Sequence, residues 1–422
     1  MIQKPKGTYD LYGKAAKKRQ RLEEIIRSLT EKYNYTFINT PMFERSELFH
    51  RSVGESSDIV RKETYDFKDK ADRNMTLKPE GTAGVVRSFI ENKMHIDNNL
   101  SKFYYFSPCF RYERPQAGRF REHTQFGVEV FGSNNPNMDV EVISLAVSFY
   151  KIIGIKDVTV KLNTLGDETS RENYKEALKE YFKPHLGELC EDCQDRYNKN
   201  PLRILDCKVD ADKEVLKKAP KNFDYLNEES KLFFEKVKKG LDLLSIDYVI
   251  DSSLVRGFDY YTHTIFEFRY NKLLKEGSCH QGIIGGGGRY NTLVESLDGP
   301  NMPALGFGLG LERILNVLEE ENLDLDETSE LDVFLYAFDN LSDKQLELTY
   351  NLRMHGFSVD TMYDTKNIKT AFKEADKRNS KYILILGEEE LKENKVIIKN
   401  NKLKEQEVID LNDLISYLDK NL

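Results

Sequence analysis

No run of about 18 apolar residues occurs in this 422-residue chain, so no membrane-spanning helix is expected. The opening residues, MIQKPKGTYD, lack the apolar stretch of a signal peptide, and a cytoplasmic location is expected. Cysteine is scarce and odd in number. Five scattered residues do not make a disulfide framework and agree with a reducing compartment. No segment is of low complexity, and 39% hydrophobic residues suffice for globular cores. Positive charge is in deficit: 63 Lys and Arg face 71 Asp and Glu, a net charge of -8. That argues against a nonspecific nucleic-acid coat but allows a local basic patch, because charges are screened over roughly 10 Å. A nucleotide-binding Walker loop is also missing. The run Gly285 to Gly288 lacks the Lys-Ser/Thr ending and the helix that follows it, so close backbone packing is expected there. The length predicts about two to three domains.

What is present is organised around residues 103–132, FYYFSPCFRYERPQAGRFREHTQFGVEVFG. Residues 102–109 read as an aromatic strand and the loop is broken by Pro115 and Gly118. In 124–131, Gln125, Gly127 and Glu129 share one face while Phe126, Val128 and Val130 share the other. Arg111, Arg114, Arg119 and Arg121 sit on or beside the turn, as a polyphosphate site would need. An ordinary cationic surface hairpin is the alternative.

Upstream, Leu22, Ile25, Ile26 and Leu29 predict an amphipathic helix over 14–33, followed by a strand over 35–40 that stops at Pro41. Such a proline suits a strand end or an edge at a subunit boundary. Short strands at 64–67 and 75–77 lead into KPEGTAG, where Thr82 is the expected N-cap of a helix over 82–92. Glu80 has two readings there, a carboxylate complementing the helix dipole or an acceptor for a substrate ammonium group. A helix over 137–153 and a strand over 158–162 precede a charged, helical insertion, 166–248. It holds Cys190, Cys193 and Cys207. Only His185 stands nearby as a fourth ligand, so reduced structural thiols are expected rather than a protein-only metal site.

Sheet-like sequence returns at SSLVRGFDYYTHTIFEF. Arg256 precedes a glycine that lets the backbone approach a ligand, and an arginine in a solvated turn is the plain alternative. In ALGFGLGLERI, the alternating Gly306, Gly308 and Gly310 leave one side bare, with Arg313 on the following helix. A flat ligand or tight helix-on-strand packing would each explain this. An acidic connector, 322–330, leads to a small α/β unit, 331–422. There Lys366, Lys369, Lys373 and Lys377 form a basic face, either solvated or set against a phosphate backbone.

Together these pieces resemble the class II aminoacyl-tRNA synthetases, and among them the histidyl-tRNA synthetase family. FRYERPQAGRFREHTQFGVEVFG is similar to motif 2 and GFGLGLERI to motif 3, while the first helix, strand and Pro41 resemble motif 1. LVRGFDYYTHTIFEF with GGGGRYNTLV resembles the signature peculiar to the histidyl enzymes. The resemblance implies an α+β fold: an antiparallel sheet flanked by helices, with the helical insertion, in a catalytic domain of residues 1–321, then a C-terminal α/β anticodon-binding domain. It implies a homodimer, tRNA(His) and L-histidine as partners, ATP as substrate and Mg²⁺ on the ATP phosphates. Arg111 and Arg256 would act at the reacting centre. Glu80, Thr82, Gln125, Glu129, Tyr260, Tyr261 and Tyr290 would hold histidine. Arg111, Glu113, Arg119, His123 and Arg313 would hold ATP, His123 standing where many relatives have an aromatic residue. The four lysines would be tRNA contacts. A regulatory paralogue, partner of a histidine-biosynthesis phosphoribosyltransferase, shares this fold. It ordinarily lacks the C-terminal domain and degrades the arginine signature, and both are intact here.

Overall fold

The computed structural model describes residues 1–54, 57, 59–97, 99–113, 119–207, 209–272, 282–325, 331–364 and 367–422. Ser56, Arg114, Pro115, Gly118, Lys366 and the end of the 322–330 connector lie outside the described residues. The chain divides into two compact units, Met1–Leu325 and Asp326–Leu422. None of the described helices is long and apolar enough to cross a membrane.

The first unit is built on a sheet of eight strands: β1 (Thr36–Phe37), β2 (Ser101–Phe110), β3 (Glu122–Phe131), β4 (Val158–Thr164), β5 (Tyr248–Ile250), β6 (Thr262–Tyr270), β7 (Ile283–Arg289) and β8 (Ala304–Gly310). Their order is β1-β2-β3-β8-β7-β6-β4-β5. The six central strands are antiparallel, and the short strands at both edges pair in parallel. The strand expected over 35–40 is shorter, because only Thr36 and Phe37 align with β2 before the chain turns at Pro41.

Strand alternation separates the two faces of this sheet. Phe126, Val128 and Val130 of β3, Phe266 and Phe268 of β6, and Leu305, Phe307 and Leu309 of β8 are buried in one core. Helices cover that face. They are α1 (Gly13–Lys32), with Leu22, Ile26 and Leu29 at helical spacing, and α3 (Pro136–Ile152), with Val142, Leu145 and Phe149. Asn135 caps α3, its Oδ1 accepting from Asn137 N at 2.9 Å, and Pro136 occupies the first turn. The opposite face carries Gln125, Gly127 and Glu129 and is closed at one end by α2 (Thr82–Glu91), whose Phe89 stacks on Phe131 at 4.3 Å.

The segment after β4 contains α4 (Glu168–Phe182), α5 (Glu191–Lys199) and α6 (Glu228–Leu243). Residues from Tyr174 to Val215 form a core of their own, whereas Phe234, Val237 and Leu241 of α6 join the core of the main sheet. Helix α7 (Leu311–Glu320) follows β8 directly, so the glycine-rich stretch is a strand that passes into a helix.

In the second unit, β9 (Leu331–Ala337), β10 (Val359–Thr361), β11 (Ser380–Leu386), β12 (Lys395–Asn400) and β13 (Gln406–Asp410) stand in the order β10-β9-β11-β12-β13. The first three are parallel, as strands joined through helices α8 (Ser342–Met354) and α9 (Ile368–Lys377) must be. On α9, Ala371 and Ala375 are buried against the sheet while Lys369, Lys373 and Lys377 are exposed.

Candidate active site

The polar face of the large sheet forms the floor of a cleft of about 310 Å³. Four arginines from four elements line it: Arg111 just after β2, Arg119 just before β3, Arg256 on the loop ahead of β6, and Arg313 in the first turn of α7. Arg111 Nε donates to Pro79 O at 2.8 Å, and Arg313 Nη1 to Ile283 O at 2.9 Å. Glu113 stands between two of the cations, 3.9 Å from Arg111 and 3.2 Å from Arg119. Arg256 crosses the backbone of β7, where a Cβ on Gly286 would lie 2.7 Å from its Nη1, and that nitrogen donates to Glu267 at 3.1 Å. The expected close packing of the glycine run is therefore what admits Arg256. Arg119 Nε and Arg256 Nε are buried without an acceptor among the described residues, which marks this wall as suited to an anion.

Of the other hairpin arginines, Arg121 does not line the cleft. Its guanidinium stacks 3.8 Å from the centroid of Tyr112, and Arg114 lies outside the described residues. His123 lies in the cleft wall. Burial, then the charges of Arg111 and Arg313, push its pKa down to about 3, so the ring is neutral near pH 7.

The other end of the cleft is lined by Thr82, Gln125, Tyr260, Tyr261 and Tyr290. The rings of Tyr260 and Tyr261 are 4.7 Å apart, and Tyr290 meets Tyr260 edge-on at 5.5 Å. Glu80 and Glu129 stand behind this wall. Glu129 is fully buried and accepts from Thr82 Oγ1 at 2.7 Å, from Tyr105 OH at 2.9 Å and from Tyr290 OH. Burial pushes its carboxyl up to about 8, opposed by those hydroxyl bonds. Glu80 accepts from the backbone N–H of Thr82 at 2.6 Å and of Ala83 at 2.8 Å. It is thus the cap of α2. The expectation that Thr82 caps this helix is corrected, because its hydroxyl donates to Glu129 instead.

The glycines of β8 are not a bare platform either. A Cβ at Gly306 would lie 2.1 Å from Glu129 Oε2, and one at Gly308 1.7 Å from Gln125 Nε2. Gly127 similarly leaves room for the ring of Tyr105, 2.2 Å from where its Cβ would stand. These glycines let two polar side chains and a tyrosine lie flat on the sheet, and only Gly310 has no closer neighbour than Arg313 at 3.6 Å.

The family model described as Histidyl-tRNA synthetase matches residues 7–314. The chain belongs to the histidyl-tRNA synthetase family. A second model, Anticodon binding domain, matches residues 332–421. Among similar proteins, the histidine–tRNA ligase of Staphylococcus saprophyticus is 46% identical over 422 residues, all of both chains. That of Bacillus cytotoxicus is 46% identical over 423 residues, covering 100% of this chain and 99% of its own. The crystal structure of apo histidyl-tRNA synthetase of S. aureus matches with a TM-score of 0.85 and 41% identity, covering 99% of this chain and 100% of the other. A structure titled as an ATP phosphoribosyltransferase regulatory subunit/histidyl-tRNA synthetase from Bacillus halodurans matches at 20% identity and a TM-score of 0.62, which shows the fold alone.

In this histidyl-tRNA synthetase family member, several groups in or behind the cleft were not singled out from the sequence. Glu267 alternates with Phe266 and Phe268 along β6, and Tyr105 alternates within the aromatic strand β2, so both were open to a period-two reading. Glu312 accepts from Thr124 N at 2.9 Å and from Tyr9 OH at 2.7 Å, fixing the start of α7 against β3. Asp206 reaches the cleft from the insertion and had no sequence signal. Arg289, beside the glycine run, is fully buried and clamps Asp139 at 2.6 Å and Ser133 O at 2.8 Å, which ties the start of α3 to the end of β7. His185, the one nearby candidate for a fourth ligand beside the cysteines, pairs with Glu188 at 2.6 Å.

Proposed function

We propose that this chain is a histidine–tRNA ligase. It activates L-histidine with ATP to histidyl-adenylate and pyrophosphate, then transfers the histidyl group to the 3′ end of tRNA(His). The observation that carries this reading is the convergence of Arg111, Arg119, Arg256 and Arg313 on one cleft whose other end is lined by three tyrosines in front of a buried glutamate. In the first step a carboxylate oxygen bonds to the α-phosphorus and the bond to the bridging oxygen of pyrophosphate breaks. An anion approaches an anion, and negative charge collects on the leaving group, so preplaced cations lower the barrier. Arg111 and Arg256 serve the carboxylate and α-phosphate, and Arg119 and Arg313 the outer phosphates. Glu113 takes the adenine edge and neutral His123 stacks beside it. Mg²⁺ enters on the ATP phosphates as part of the substrate.

Glu80, Thr82 and Gln125 receive the α-ammonium end of histidine, and Tyr260, Tyr261 and Tyr290 enclose the imidazole. Glu129 is the selective group. Once it gives up its proton as histidine binds, its carboxylate has about four acceptor sites, and three hydroxyls leave one for an imidazole N–H. An apolar analogue cannot fill that site, and discrimination of this kind reaches about 10⁴ to 10⁵. Residues 1–321 form the catalytic domain and 331–422 the anticodon-binding domain, joined by 322–330. Lys366, Lys369, Lys373 and Lys377 contact the tRNA backbone. The enzyme works in the cytoplasm as a homodimer. Exposed Phe37 of β1 and, past Pro41, exposed Met42, Phe43 and its neighbour Phe67 support that pairing. Charging of unfractionated tRNA with labelled histidine tests the proposal: histidyl-tRNA forms only with ATP present. Its absence with a well-folded protein and competent tRNA(His) would overturn it.

A further inference from the structure

We propose that the insertion holds a structural zinc ion between Cys190, Cys193, Cys207 and Asp210. One donor atom from each of these four residues lies within 4.8 Å of all the others. Tetrahedral zinc with Zn–S bonds of about 2.3 Å sets sulfurs about 3.8 Å apart. The Cys190 and Cys207 sulfurs are 3.6 Å apart. Three thiol donors and one carboxylate favour zinc over magnesium or calcium, which take oxygen ligands.

Two short frames hold the donors. Cys190 is the N-cap residue of α5 and Cys193 lies in its first turn, with the Cys193 backbone N–H directed at the Cys190 sulfur. Cys207 follows the tight turn Pro201–Ile204, and Asp210 stands three residues later. The spacing is thus CxxC followed by CxxD, a paired pattern in which aspartate takes the place of a fourth cysteine. Asp210 is fully buried. Its Oδ2 accepts from Cys190 N at 2.9 Å and its Oδ1 faces Lys213 Nζ at 2.7 Å, so one carboxylate already joins the two frames. A disulfide between Cys190 and Cys207 would use two of these groups and leave the Cys193 thiol unused beside them.

The position gives the ion a task. Apart from the cysteines, the insertion's own core is a small set around Tyr174, Leu178, Phe182 and Ile204, and small cores gain most from a metal clip. The residues between the second and third ligands lean on the Arg256 loop. Asn200 Nδ2 donates to Asp259 at 2.6 Å and Arg203 Nη1 to Gly257 O at 2.9 Å. The clip therefore braces the wall of the cleft beside Arg256.

The test uses the full-length protein, purified in reductant without chelator. Elemental analysis is expected to find about one zinc per chain, lost in Cys207→Ser. After chelation and reloading with Co²⁺, the wild type is expected to show the intense visible bands of tetrahedral cobalt and a near-ultraviolet sulfur-to-cobalt band. Asp210→Cys should keep the stoichiometry and strengthen the sulfur band. Should Cys207→Ser fail to fold, the wild-type zinc content and cobalt spectrum decide alone. A folded wild type with neither zinc nor cobalt bands, zinc retained in Cys207→Ser, or a Cys190–Cys207 disulfide found by mass spectrometry would overturn the proposal.

Discussion

Arg256 concentrates the electrostatic design of the cleft. Its guanidinium is held across Gly286 by Glu267, so its place is fixed before any substrate arrives. Preorganised charge of this kind is worth roughly 10² to 10³ in rate. Arg256→Ala is expected to lower kcat for histidine activation by about that factor, with KM for histidine changed far less. Pyrophosphate exchange measures both, and unchanged turnover would remove Arg256 from the reacting centre. Glu129 gives a prediction in pH. Its folded-state pKa of about 8 lies above the unfolded value, so the native protein keeps a proton that the unfolded chain has released. That contribution favours folding least at high pH: stability falls as pH rises from the unfolded pKa toward 8. Glu129→Gln, which does not titrate, is expected to become more stable relative to wild type between pH 5 and 8. Urea unfolding at several pH values checks this, and parallel profiles would contradict it.

At the scale of elements, the β2–β3 hairpin shows how far the sequence could be read. Period-two alternation placed Gln125, Gly127 and Glu129 on one face, and they share it, with Gln125 lining the cleft and Glu129 behind its wall. Alternation says nothing of what lies on a face, however, so the side chains resting on Gly127, Gly306 and Gly308 could not be foreseen. The start of α2 was misread for a related reason. Thr82 has the chemistry of a cap, but tertiary contact with Glu129 claimed its hydroxyl and left the cap to Glu80. Asp206 was illegible because it matters through a long-range approach that no local pattern records, and Asp210 was missed because only Cys and His were weighed as a fourth ligand. On α9, Ala371 and Ala375 pack against the sheet, and Lys369, Lys373 and Lys377 of the expected basic face project from the exposed side. Replacing Lys369 and Lys373 with glutamate is expected to weaken tRNA binding and flatten its dependence on salt, since fewer counterions are released. Filter binding across a salt series measures this, and an unchanged affinity would make the face merely solvated.

For the whole molecule, the order of motifs along the chain specified an antiparallel α+β unit and a separate C-terminal α/β unit, and the fold has both. A strand at β1 was foreseen but not its parallel pairing, and β5 was not foreseen, being too short to carry a periodic signal. The cleft draws its groups from segments far apart in sequence, from Ile59 to Arg313, and only the folded sheet brings four arginines to one side and a carboxylate ringed by hydroxyls to the other. The central claim is that this combination activates histidine and no other amino acid. ATP–pyrophosphate exchange with each of the twenty amino acids tests it most directly. Exchange with histidine alone is the predicted result; exchange driven by a different amino acid, or none with any of them from a folded protein, would contradict it.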